Sequence, residues 1–66
     1  MSKRSSIDPS HAAFLARFVA RGWIHAVRED PFEQAAVDAG LRLKLMRREL
    51  SEAHFTPKGR KVLVLS

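Results

Sequence analysis

The sequence predicts a mainly α-helical chain closed by a small β-hairpin, an α+β domain of three helices followed by two strands. Three observations lead there. The pair Asp-Pro occurs at 8–9 and again at 30–31, each ahead of an apolar-periodic stretch, as an N-cap followed by proline at the first helical position requires. Gly40 separates an alanine-rich stretch from a strongly basic one, which is where a left-handed residue ends one helix before the next begins. Pro57-Lys58-Gly59 lies between two short apolar runs, the composition of a tight turn between strands.

The first helix spans about 9–21. Phe14, Leu15, Phe18 and Val19 form its apolar stripe, with Arg17 and Arg21 off that stripe. Gly22 can close it and fold Trp23 back on Phe18; the competing reading is a helix continuing through Gly22 to Val27. WIHAVRE is rich in strand formers without clean alternation, and reads as a short extended segment near 23–27.

The second helix, about 31–39, carries Glu33 where a capping box wants its carboxylate and buries Phe32, Ala35, Ala36 and Ala39. The third spans about 42–53. At 100° per residue Leu43, Met46, Leu50 and Ala53 share one sector, which makes them the core face. Lys44, Arg47, Arg48 and Ser51 share another. Leu45 and Leu41 point elsewhere, an apolar edge for a contact outside the chain. The tail completes the fold as strands at 55–56 and 61–65. Phe14, Leu15, Phe18, Trp23, Phe32, Ala36, Leu43, Met46 and Leu50 are the expected core.

Sixty-six residues make one small domain, 8–66, preceded by a flexible basic arm at 1–7. A chain of this size buries only about 60% of its unfolded surface. With no cysteine, disulfides and thiolate metal sites are excluded, and the composition fits a reducing cytoplasm. No signal peptide or membrane span is visible, because Asp8, Pro9, His11 and Arg17 interrupt any apolar run near the start. The net charge of +5 is unevenly spread: residues 1–30 carry +2, residues 31–40 carry −2 and residues 41–66 carry +5. A basic C-terminal half favours polyanionic partners.

The order of helix, strand, two helices and hairpin resembles a winged helix-turn-helix domain. EQAAVDAGLRLKLMRREL resembles the helix-turn-helix unit, with Ala36 in its first helix, Gly40-Leu41 at the turn and Met46 and Leu50 in its second. FTPKGRKVLVL is similar to the T-P-K-G-R wing region of MarR-like bacterial regulators. The resemblance implies sequence-selective binding of double-stranded DNA by a homodimer, with the last helix in the major groove. A transcription regulator of a phage, plasmid or other mobile element is the expected role.

On that reading Arg47 and Arg48 face guanine edges or phosphates, and Arg42, Lys44 and Ser51 make phosphate or mixed contacts. Lys58, Arg60 and Lys61 ride the backbone or minor groove from the wing. The alternative is a small protein-binding inhibitor module docking a host protein through the Leu41/Leu45 edge together with Val62 and Val64. RNA binding is a third outcome that charge alone allows. No metal, cofactor or catalytic machinery is expected. His11, His25 and His54 fall on three separate elements without metal-ligand spacing, and Asp8, Ser10 and His11 crowd one helical turn where no nucleophile–base–orienter chain can form.

Overall fold

The computed structural model describes residues 7–65. Its order is α1 (Pro9–Val19), β1 (Trp23–His25), α2 (Pro31–Arg42), β2 (Met46–Glu49), β3 (Glu52–Phe55) and α3 (Pro57–Leu65). The strands form one antiparallel sheet in the order β1-β3-β2. This is a mixed α+β fold of three helices and three strands. The arm expected at 1–7 lies outside the described residues except for Ile7, which packs against the core. Among the described residues no helix is long and apolar enough to cross a membrane.

The two Asp-Pro starts behave as expected. The Asp8 carboxylate accepts from the Ser10 backbone N–H at 2.8 Å and from its hydroxyl, and those bonds hold the Asp8 carboxyl below its ordinary range. Its contribution to stability is therefore present above the unfolded carboxylate pKa and fades as pH falls through the lowered one. Asp30 accepts from Glu33 N–H at 3.0 Å. α1 ends before Gly22, whose φ of 96° suits glycine alone among common residues, and this turn starts the strand of residues 23–25.

Three expectations are overturned from residue 40 onward. Gly40 does not end a helix: it is buried inside α2, where a Cβ would press on Met46 Cε and come within 3.3 Å of Leu15 Cδ1. Its role is close approach. The helix ends one turn later in a Schellman motif, with Leu45 N–H donating to Gly40 O at 2.8 Å, Lys44 N–H to Leu41 O at 3.2 Å, and Lys44 as the left-handed residue at φ 66°. Residues 42–53 are then not a helix, so the second helix expected after Gly40 is absent among the described residues. They supply the end of α2, the strand β2, a turn at Leu50-Ser51 and the start of β3. Pairing decides this against helix propensity: β1 alone has no partner, whereas β3 bonds to both β1 and β2, with Ile24 opposite Ala53 and Met46 opposite Phe55.

The hairpin expected at 55–65 is α3, and Pro57-Lys58-Gly59 is its first turn. Thr56 caps it, accepting the Gly59 N–H on Oγ1 at 3.0 Å and placing proline first in the helix. Val62 and Val64 therefore sit on a helix and not on an edge strand.

The three helices cover one face of the sheet, on which Ile24, Met46, Ala53 and Phe55 are buried with Leu15, Val37 and Leu63. Leu15, Ala36 and Met46 belong to this core as expected, and Phe14, Phe18 and Leu43 pack against it. Phe32 does not: it is 44% exposed and stacks on His11 and Phe14. Leu50, expected at the heart of the core, is 94% exposed at the hairpin tip. Leu45, expected on an outer edge, is 3% exposed.

The tip of the β2–β3 hairpin is strained. Leu50 has φ 56°, a conformation costing a residue with a Cβ roughly 1–2 kcal/mol. Leu50→Gly removes that cost, and with the side chain almost wholly in water nothing is lost from the core. Allowing for glycine's freer unfolded chain, the variant should match or exceed the parent by up to about 1 kcal/mol. Denaturant titration checks this, and a large loss of stability would contradict the exposed tip.

Candidate nucleic-acid interface

The second face of the sheet carries no covering element among the described residues. Strand alternation and register put two rows of side chains on it: Trp23, His54 and Arg47 in one, His25, Glu52 and Glu49 in the other. The first row is at the end where β1 and β2 begin and β3 stops. The second lies next to the hairpin turn.

The first-row end is cationic. The Arg21 guanidinium lies 4.1 Å from the Trp23 ring centroid, and the His25 ring meets Trp23 edge-on at 4.9 Å. An Arg60 guanidinium nitrogen is 3.7 Å from where a Gly22 Cβ would sit, which brings the start of α3 to the same end. Lys44 joins them because Thr56 Oγ1 donates to the Lys44 and Leu45 carbonyls at 3.0 and 3.1 Å, tying the Schellman turn to the cap of α3. Lys58 and Lys61 are exposed on that helix. Among the described residues, Arg21, Lys44, Lys58, Arg60 and Lys61 make no ion pair.

The start of α3 differs electrostatically from the other two. Asp8 caps α1, and Asp30 with Glu33 serves α2. α3 has no acid in its first turn and carries Lys58, Arg60 and Lys61 where the helix dipole is already positive. An anion is the complement that this field lacks.

The other residues singled out in the sequence are dispersed. Arg47 shares the open face, with its guanidinium paired to Glu49. Arg48 is exposed on the same edge strand, opposite Ala53, so the two arginines do not share a face. Its Nε donates to the Leu50 carbonyl at 2.9 Å. Ser51 sits in the turn, where its carbonyl accepts from Ala26 N–H at 2.9 Å. Arg42 lines a hollow with Asp8 and Asp38. Of the residues expected to face a protein, Leu41 is half-buried, Leu45 is core, Val62 is half-buried, and only Val64 is well exposed.

Arg21, Trp23 and His54 were missed as site residues. Trp23 was assigned to the core because an aromatic after a helix-ending glycine packs back on the helix. Here Gly22 turns the chain into a strand, and period-2 alternation sends Ile24 inward and Trp23 and His25 outward. No cluster of His, Cys, Asp or Glu suited to a metal ion occurs among the described residues. A scan against protein-family models, a search of curated proteins and a search of solved structures each returned no match.

Proposed function

We propose that the protein binds double-stranded DNA, holding the phosphate backbone with the cationic end of its sheet and the start of α3. The observation that carries this is the convergence of Lys44, Lys58, Arg60 and Arg21 about a helix N-terminus without acid. A two-stranded ribbon fits the major groove as well as a helix does. In this reading β2 and β3 enter it in place of the helix that residues 42–53 do not form. Arg47 reaches a base edge by leaving Glu49, and Lys58, Arg60 and Lys61 follow the neighbouring phosphates. The biological role this fits is that of a small transcription regulator.

Lys44 supports the reading independently. Its left-handed backbone is a site where glycine costs the fold least, yet a lysine occupies it. Lys44→Gly is expected to raise stability by about 1 kcal/mol while weakening DNA binding alike for all sequences. The slope of log affinity against log salt should fall by about one. Thermal melting together with anisotropy titrations at two salt concentrations reads both effects, and unchanged DNA affinity would remove Lys44 from the interface.

The second reading, docking on a host protein, loses the apolar edge that motivated it, because Leu45 is buried. Of the residues that motivated it, it retains Val64, well exposed on α3, beside the exposed Leu50 at the hairpin tip.

A further inference from the structure

We propose that the open face of the sheet is a second site, which takes the unpaired bases of a single nucleic-acid strand by stacking them on Trp23 and His54. Trp23 is the one tryptophan of the chain. It stands on the water side of the sheet, neither in the core nor packed against it. An indole there offers a flat apolar surface that the fold does not use. The groups that touch it are themselves exposed: the Arg21 guanidinium lies 4.1 Å from its centroid, and the His25 ring meets it at 88°. His54 is directly opposite on β3, its ring held by the Glu52 carboxylate at 3.1 Å.

The Arg21 contact shows what that surface accepts. A planar cation without an ion pair among the described residues rests on the indole, where a nucleobase would stack. At an exposed position such a cation–π contact is worth about two- to fivefold in an equilibrium. A stacked base is worth roughly 5- to 150-fold. The base therefore displaces the guanidinium, which is freed to meet a phosphate.

Charge and shape together select the occupant. Arg21 stands just ahead of β1, with the Arg60 guanidinium next to Gly22, and Lys44 stands just ahead of β2. Cations without an ion pair among the described residues thus flank both ends of the row Trp23, His54, Arg47. The acids of the open face, Glu49 and Glu52, belong to the row next to the hairpin turn and are paired with Arg47 and His54. A strand laid along the first row meets phosphate-binding groups at its margin and aromatic rings beneath its bases. A duplex hides those base faces in its own stack, so this site does not rest on the duplex reading.

Titration of the intact chain with oligothymidylate of about eight nucleotides tests this, beside an abasic oligomer of the same length and charge. Oligothymidylate should quench the Trp23 emission saturably and bind roughly 5- to 150-fold more tightly than the abasic strand. The Trp23→Ala chain should bind the two alike, and the Trp23→Phe chain should keep the preference, with folding of both checked by circular dichroism. Oligouridylate of the same length separates an RNA from a DNA ligand, and saturable quenching by either upholds the site. Equal affinity of the parent for base-bearing and abasic strands overturns the proposal and leaves the duplex reading standing. So does a folded Trp23→Ala chain that still prefers bases, or an emission that neither oligonucleotide changes.

Discussion

Gly59→Ala is expected to abolish the cooperative fold. The added Cβ would be driven into the Leu45 carbonyl, within 2.7 Å of its carbon and 3.0 Å of the Leu45 Cα. The obstacle is backbone, so no rotamer change relieves it. That carbonyl cannot easily retreat, because it accepts from both the Thr56 N–H at 3.0 Å and the Thr56 hydroxyl at 3.1 Å. The whole of α3 must lift from the body of the domain, exposing Leu63. The cost should exceed the roughly 1–3 kcal/mol of ordinary overpacking, against a total stability of about 3–10 kcal/mol for a chain this size. Gly40→Ala provides the internal control. There the overlap is with the flexible end of Met46, and alanine gains about 1 kcal/mol of helix propensity, so the loss should be small. Thermal melts of both variants separate the cases. A Gly59→Ala chain melting within a few degrees of the parent would mean that α3 does not dock on Leu45.

Leu15→Ala should cost about 2–5 kcal/mol, enough to leave much of the population unfolded at room temperature. Leu15 is fully buried, and its Cδ1 reaches the helical backbone at Gly40. Its side chain fills the space where α1 crosses α2, and the surrounding backbone has little room to collapse into the cavity. Leu50→Ala, one leucine traded for one alanine elsewhere in the chain, should leave the melting temperature nearly unchanged. The contrast tests the assignment of residues 46–55 to strands. Were they helical, Leu50 would be core, and the two substitutions would cost alike.

The first half of the fold was legible because its signals are local. Asp8-Pro9 and Asp30-Pro31 are complete start signals, and Gly22 is a helix ending; each needs only its neighbours. Thr56-Pro57 has the same grammar, a capping side chain followed by proline. In sequence it resembles a turn because Gly59 and the valines of 61–65 favour strands, while the reason for Gly59, contact with Leu45, is visible only in three dimensions. Residues 42–53 failed for a different cause. Met, Arg, Leu and Glu favour a helix, and their apolar members fit the helical period. Their alternation as strands, Met46 in and Arg47 out, then His54 out and Phe55 in, becomes compelling only once β1 is present to pair with β3. The cationic character of the C-terminal half was readable from composition. The company it keeps was not, because Arg21 and Trp23 come from another part of the chain and join Lys44 and Arg60 through the sheet register and the Thr56 bonds.

The DNA-binding reading is tested most directly by anisotropy titration of the protein against a labelled duplex across a range of salt concentration, with single-stranded DNA and RNA of matched length as comparators. The log–log plot for duplex DNA should be linear and fall with a slope of about −0.9 per phosphate contacted. Four engaged cations give a slope near −3.6, and removal of Lys58 or Arg60 should take about one contact from it. Duplex affinity that is absent at low salt, indifferent to salt, or unaltered when Lys58 and Arg60 are both replaced by alanine would contradict the reading.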